Sequence, residues 1–454
     1  MELIRDVSAS WDRQLATGTT AQADLDRLFK GQRERSLLKH DQPLCGVARP
    51  HFVSAAELSQ QTTVVRAIGD ALVKARDHVV ANREREAHHL GAYYDWIGDL
   101  MSLEHPGVDR GAIVRLDAFK TSSGLHFLEL NADSPQGAGH NDGLAAVFQT
   151  FDTFRTLASQ FDLRPLLLQP FSGRALVDAW HAWGGRGEPR VAMVGWFERY
   201  GATAESHERG AEVFLRQGIR SLVAVEPRGL EFDGSRLFAN GAPVDLVYRV
   251  MLTRDALEAK ADLKPLFLAL KQNAVCMVNP FRAELMGHKA LFALLSDPDV
   301  PLGLDASARS IIRKHVPWGR LLRDGPTSDP TGGRTNLLDY VARHRDDLVL
   351  KPTHSAQGEG VELGWHHSVS SWEAAVRRAA ASDYIVQQRV PTHRESYPAA
   401  ETGLPTRELY EDTDPFIARG RLGGFLTRLS GEEIVNVARG GSVVPTFVVG
   451  HRKS

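Results

Sequence analysis

The sequence predicts a mixed α/β (α+β) chain built from two to four structural units. Three observations carry that expectation. A length of 454 residues is too great for one module at roughly 100–200 residues per domain. Hydrophobic residues make up 43% and charged residues 24%, a globular balance that supplies a core and argues against global disorder. Helical spacing runs through the first hundred residues, whereas short β-prone runs alternate with helical stretches from Gly111 onward.

In chain order, Leu25, Leu28 and Phe29 stand at helical spacing. Ser54 with Glu57 forms a capping-box pattern before a long helical segment that carries Ile68 and Leu72, then Tyr93, Trp96, Ile97 and Leu100. A packed helical layer is expected there. Ile113–Phe119 and Leu125–Asn131 read as two strands of a hairpin joined through Lys120–Gly124, a turn-forming link. Val191–Val194, a helix around Ala211–Gln217, Ser221–Val225 and Leu246–Val250 make a βαβ-type α/β unit. Its first strand-to-helix junction lacks a glycine-rich phosphate fingerprint, which argues against dinucleotide binding. Helix resumes at Ala290, Leu291, Leu294 and Leu295, followed by a Pro/Gly/Asp-rich loop from Asp324 to Arg334. Leu348–Lys351, a helix over Trp372–Ala381, Tyr384–Gln387 and antiparallel strands over Gly423–Val449 complete the chain.

The charge balance excludes some partners. With 54 basic and 56 acidic side chains the formal net charge is -2, which argues against capture of nucleic acid or of an anionic membrane. Cys45 and Cys276 are the only cysteines, and their separation supports neither a disulfide framework nor a zinc site. Met1–Asp6 lacks a basic stretch leading into an apolar run, and no apolar segment approaches the roughly 20 residues that span a bilayer. The expectation is a soluble, cytoplasmic protein.

Side chains on a strand alternate faces, so Arg115 and Asp117 share one face of the first hairpin strand, and Glu129 and Asn131 share one face of the second. Leu116, Leu128 and Leu130 are expected on the opposite face. Antiparallel pairing brings the polar faces together as an oxygen-rich set of the kind magnesium prefers. Ala132–Gly139 follows as a small-residue loop that lets backbone approach a ligand. Lys351 ends an apolar run before a loop containing Gly358 and Gly360, a charge beside flexible backbone donors. Lys289 is expected at a solvated helix start. His88-His89 and His366-His367 are read as surface or packing pairs, and the acidic tract Glu408, Glu411, Asp412 and Asp414 as a solvated loop face. The Walker A, HExxH, GxSxG and kinase GxGxxG patterns are absent.

The order of these segments resembles the circularly permuted ATP-grasp family, the branch that includes glutathionylspermidine synthetase. The resemblance rests on Arg115-Leu-Asp117, Phe127-Leu-Glu129-Leu-Asn131-Ala-Asp133-Ser-Pro135, His288-Lys289-Ala, and Val349-Leu-Lys351-Pro with Gly358-Glu-Gly360. Tyr384-Ile-Val-Gln-Gln388, Gly423-Gly-Phe-Leu-Thr-Arg428 and Val244-Asp-Leu-Val-Tyr-Arg249 extend it over about residues 106–450. The Asp, the Glu twelve residues on and the Asn two further match the family's metal spacing.

By that resemblance residues 1–105 form a helical N-terminal region and 106–160 the metal-binding hairpin part of an ATP-grasp core. Residues 185–280 form an α/β substrate-side domain, and 281–450 the lysine lobe with its closing strands. Asp117, Glu129 and Asn131 would hold two magnesium ions on ATP, with Lys289 and Lys351 on its phosphates. The loop with Ser355, Gln357, Gly358 and Gly360 would close over them, and Gln387, Gln388 and Val390 would line the adenine. Arg115 would face the transferred phosphoryl group, with Arg428 and Arg439 as further catalytic arginines.

The implied activity is ADP-forming ligation of a small-molecule carboxylate to an amine through an acyl phosphate. A small-molecule kinase and a non-catalytic nucleotide-binding protein are the alternatives. Neither nucleic acid nor membrane is an expected partner, and the sequence leaves the oligomeric state open.

Overall fold

Ser54 starts the longest helix of the structure, a computed structural model. Its side chain accepts from the N–H of Glu57 at 3.1 Å, which satisfies one of the donors that a helix start leaves open. The structure describes all residues except 1, 18, 40, 83–92, 94, 104–112, 198–213, 215–218, 220, 356–357, 402, 436–439 and 453–454.

Two helices, α1 (Glu2–Leu15) and α2 (Thr19–Glu34), precede strand β1 (His51–Ser54) and the long α3 (Ala55–Ala81). The hairpin is β2 (Ile113–Thr121) and β3 (Gly124–Asn131), followed by α4 (Ala138–Phe148), β4 (Phe161–Pro165) and α5 (Leu168–Trp183). Strands β5 (Arg190–Val194), β6 (Ser221–Val225), β7 (Leu246–Arg249) and β8 (Cys276–Val278) come next, with the short α6 (Thr253–Glu258) after β7. After α7 (Ala290–Ser296) come β9 (Gly319–Leu321), β10 (Leu348–Pro352), β11 (Glu362–Leu363), α8 (Val369–Ala380) and β12 (Tyr384–Gln388). The chain closes with β13 (Arg394–Pro398), β14 (Thr406–Ala418), β15 (Arg421–Ser430), β16 (Ser442–Val444) and β17 (Thr446–His451).

These strands assemble into four sheets that matter for the site. Strands β5–β8 form a parallel sheet in the order β8-β7-β5-β6. Its strands are apolar runs, as expected for a parallel sheet covered on its faces. A second sheet has the order β9-β12-β10-β11 and carries the lysine strand. The largest has the order β16-β15-β14-β2-β3, with β13 paired to β14. The early hairpin is therefore continued by strands from the far end of the chain. The fourth sheet joins β1, β17 and β4, so the N-terminal region contributes a strand as well as helices. Trp11 anchors α1 there, packed edge-on to Phe52 at 5.7 Å and donating to the Ala48 carbonyl at 2.9 Å.

Local chemistry explains the departures from the sequence expectations. The Asp324–Arg334 segment is not a plain loop but carries a small hairpin, Pro326–Ser328 against Arg334–Asn336. Asp329 closes its turn by accepting from the N–H groups of Thr331 and Gly333 at 2.8 and 2.9 Å, the Asx chemistry that favours aspartate in turns. The acidic tract belongs to strand β14, where alternation sends Asp412 and Asp414 to one face and Glu411 to the other. Glu411, Asp412 and Asp414 are buried and only Glu408 is exposed. Partners remote in sequence make that burial tolerable: His51 and Tyr397 meet Glu411, and Arg428 meets the two aspartates. The helix expected around Ala211–Gln217 lies outside the described residues except at Phe214, as does the pair His88-His89.

One side chain ties the parallel sheet to the hairpin. Asn279, just past β8, accepts from the Ile113 N–H at 2.7 Å and donates to the Ile113 and Ala132 carbonyls at 2.7 and 2.9 Å. Because Asn279 is buried, water cannot replace those bonds. Asn279→Ala is expected to destabilise the fold by about 3 kcal/mol, read as a lower midpoint in urea denaturation with the same slope.

Candidate active site

The pairing of β2 with β3 sets the site's first wall. Its register places Arg115 opposite Asn131 and Asp117 opposite Glu129, with an irregularity after Asp117. The bulge gives Leu128 no partner and turns it to the cavity, unlike the core residues Leu116 and Leu130 with which the sequence grouped it. The Leu128 carbonyl accepts from Gln387 Nε2 at 3.3 Å. That contact joins the hairpin to the lysine-bearing sheet.

Asp117 lies at the centre of a buried charge cluster. Arg115 Nε donates to its Oδ1 at 2.9 Å, Asn131 Nδ2 donates to the same oxygen at 2.7 Å, and Arg428 Nη2 donates to Oδ2 at 2.8 Å. Arg428 also donates to Asp412 at 2.6 Å and pairs with Asp414 at 2.9 Å. Burial opposes ionisation of Asp117, but the guanidiniums of Arg115 and Arg428 outweigh it and hold the carboxyl well below its usual range. Asp414 is fully buried and pushed well above its ordinary value, first by that burial and then, against Arg428, by Asp117 and Asp412. Each carboxylate in the cluster thus opposes ionisation of the next, and the two guanidiniums offset that repulsion.

The second wall comes from the lysine-bearing sheet. Lys351 is buried at the end of β10, and its Nζ donates to Gln387 Oε1 at 2.8 Å on the neighbouring β12. Burial lowers its pKa to about 8, with Glu129 partly offsetting the fall and Lys289 adding to it. Lys289 is buried rather than solvated. Its backbone N–H bonds the Thr353 carbonyl at 2.9 Å, and its Nζ donates to the Ser355 carbonyl at 2.9 Å with Glu129 Oε2 at 3.4 Å. A helix-start lysine is held inside because the turn after β10 folds back over it.

Both walls line one cavity of about 2340 Å³. Arg115, Asp117, Glu129, Asn131, Lys289, Lys351, Ser355, Gly358, Gly360, Gln387, Gln388, Val390 and Arg428 all contribute to it. Gly358 and Gly360 both have φ of +71°, a backbone conformation open to glycine. A Cβ at position 360 would also come within 2.7 Å of Pro352. Gln357 and Arg439 lie outside the described residues.

Several cavity groups were not anticipated. Asp412 joins the Asp117 cluster from β14, and its alternation with Asp414 around Thr413 was the available signal. Glu284 is buried at the cavity wall, receiving hydrogen bonds from Tyr93 Oη at 2.5 Å and pairing with His354 Nε2 at 3.0 Å. Burial raises its pKa, with Asp133 adding to the rise. Asp133, part of the small-residue loop, is held by Arg249 at 2.6 Å and by the N–H of Thr253 at 2.7 Å. His366 and His367 pair with Glu433 and Glu362, of which Glu433 lines the cavity. Cys45 and Cys276 are buried free thiols pushed up to about 12 by burial, a state in which thiols are unreactive.

The donor chemistry suits magnesium. Asp117, Glu129 and Asn131 are all hard oxygen ligands, and with its amide nitrogen given to Asp117, Asn131 keeps its amide oxygen for the cavity. Among the described residues, the carboxylate triple gathered within 4.8 Å is different: Asp117, Asp412 and Asp414. Arg115 and Arg428 already supply its counter-charge.

A scan against protein-family models finds no match, and a search of curated proteins finds none either. Among solved structures, the chain is similar to a glutathione synthetase-like effector from Globodera pallida in its apo form. The TM-score is 0.53 at 11% identity, over 94% of this chain and 97% of that one. The fold is ATP-grasp-like. A putative gamma-glutamylcysteine synthetase from Methylobacillus flagellatus aligns over 87% of this chain and 89% of its own, with a TM-score of 0.41 and 10% identity. D-alanyl-alanine synthetase A from Vibrio cholerae covers 50% of this chain and 68% of its own, with a TM-score of 0.24 and 11% identity. Those two align too loosely to carry an argument. In this ATP-grasp-like fold the carboxylate hairpin precedes the lysine strands in the chain, and no described helix is long and apolar enough to cross a membrane.

The depressed pKa of Lys351 has a measurable consequence. From about 8 to the ordinary 10.5 the unfolded chain keeps a proton that the folded protein has released, so stability rises with pH across that window. Below pH 8 both states are protonated and the contribution is flat. Urea denaturation between pH 7.5 and 10.5 is expected to show this rise in the wild type, and Lys351→Met is expected to remove Lys351's share of it.

Proposed function

We propose that the protein is an ATP-dependent carboxylate–amine ligase of the circularly permuted ATP-grasp kind. It forms an amide through an acyl phosphate and releases ADP and phosphate. The observation that carries the reading is that a carboxylate–arginine hairpin of one sheet lines one cavity with two buried lysines, Lys351 from a second sheet and Lys289 from the start of α7.

In the proposed reaction an oxygen of the substrate carboxylate attacks the terminal phosphorus of ATP, and the bond from that phosphorus to the ADP oxygen breaks. The amine nitrogen then attacks the acyl carbon, the phosphate leaves, and the amine proton passes to phosphate or solvent. Lys289 and Lys351 are assigned to the ATP phosphates, where a desolvated ammonium acts with little screening. Arg115 directs a guanidinium nitrogen at the Gln136 carbonyl, 3.0 Å away within the small-residue loop, and is assigned to the transferred group. Arg428, bound to three aspartates, is assigned a positioning role for Asp117. Gln387, Gln388 and Val390 are assigned to the adenine, and the segment from Ser355 to Gly360 to closure over the phosphates. Asp117, Glu129 and Asn131 would hold two magnesium ions, which when bound neutralise phosphate charge.

The same walls would serve a kinase that stops at the phosphorylated product, so the decisive assay traps the acyl group. With hydroxylamine as a general acceptor and a panel of amino acids, peptides and simple carboxylic acids, the ligase reading expects ADP release coupled to a hydroxamate. A stable phosphorylated product without hydroxamate favours the kinase. Asp117→Ala combined with Glu129→Ala is expected to lower ADP formation at least about 100-fold. Turnover that survives this pair of substitutions contradicts both catalytic readings.

A further inference from the structure

The cavity extends well beyond the lysines and carboxylates. Single-ligand sites occupy roughly 300–1,000 Å³, so one nucleotide does not fill about 2340 Å³. The remaining space opens at the parallel sheet. Its order β8-β7-β5-β6 means that the chain adds β6 on one side of β5 and then β7 on the other. The reversal lies between β5 and β7, and in open α/β sheets ligands bind beyond the carboxyl ends of the strands at such a reversal.

Those strand ends carry a particular chemistry here. Met193, Trp196 and Phe197 at and beyond the end of β5, with Tyr248, Val250 and Leu252 at and beyond the end of β7, all line the cavity. Gly195 permits the approach of the two ends, since a Cβ there would lie 2.7 Å from Val250. Phe214 meets the Tyr248 ring edge-on at 6.0 Å. The charged groups nearby, Arg254 and Glu258, are exposed on α6. Within this apolar wall the Tyr248 hydroxyl makes no hydrogen bond to the described residues, and burial pushes it up to about 12. Tyr248 is half-buried and lines the cavity, which leaves its hydroxyl placed to meet an acceptor on a bound molecule.

We propose that this crevice is a substrate subsite for an aromatic or large apolar group, with the Tyr248 hydroxyl donating to an acceptor on the same molecule. The proposal rests on the ligase reading for what the subsite serves, and it narrows one of the two joined substrates to an apolar class. A polyamine or a small polar peptide would lose water against these rings and find charged partners only in the exposed Arg254 and Glu258, and so is selected against.

The test is direct binding to the full chain, independent of turnover. L-Phenylalanine, L-tryptophan, phenylacetate and phenethylamine are compared with glycine, spermidine and glutathione by calorimetry and by shift of the melting temperature. At least one aromatic probe is expected to bind at least about tenfold more tightly than glycine. Val250→Asp, which places a charge in the crevice, is expected to remove that preference while ATP affinity and the melting profile stay near wild type. If Val250→Asp fails to fold, Tyr248→Phe serves, with a smaller loss confined to the aromatic probe. Absence of aromatic binding, or binding indifferent to the substitution that folds, overturns the proposal. Hydroxamate formation judges the ligase reading separately: a chain that binds aromatic probes but traps no acyl group keeps the subsite and loses the ligase.

Discussion

The arrangement depends on a buried exchange of charge among three aspartates and two arginines. Asp117 and Arg115 come from the early hairpin, Asp412 and Asp414 from β14, and Arg428 from β15. Taking such ions out of water costs several kcal/mol each, and removing one partner strands the others. The three strands are therefore constrained to lie side by side in one register. The same constraint holds Asp117 and, through it, Asn131 at the cavity beside Glu129, the pre-organisation that the proposed phosphoryl transfer would use.

Across the cavity the opposite sign is held by a different device. Lys351 and Lys289 are desolvated by the β10 turn and restrained through Gln387 and the Ser355 carbonyl. Glu129 stands near Lys289, so the two walls already sense each other. Asn279 and Arg249 then tie the parallel sheet to the hairpin and its loop. Every wall of the cavity is thereby referenced to the residues between Ile113 and Asp133.

Much of this was legible where the signal was local. Period-two alternation located the hairpin, and the register pairs Arg115 with Asn131 and Asp117 with Glu129 as face-sharing requires. Three of the four parallel strands were found by their apolar runs, whereas the three-residue Cys276–Val278 was too short to show a pattern, and their spatial order follows from pairing that no local pattern encodes. Lys289 resisted because its burial depends on the turn after β10, more than sixty residues away. Asp412 and Asp414 resisted for a related reason: a charge-rich run reads as solvated until Arg115 and Arg428 are known to face it. The apolar wall at the ends of β5 and β7 was visible only as scattered aromatics until the sheet brought them together.

Calorimetric titration of ATP into the full chain, with and without magnesium, separates a nucleotide site from a cavity that merely gathers charge. One ATP is expected per chain, bound with an affinity that falls by an order of magnitude or more when the metal is withheld. Arg428→Met should reproduce that loss through displacement of Asp117. An affinity indifferent both to magnesium and to Arg428→Met, or no ATP binding at all, contradicts it.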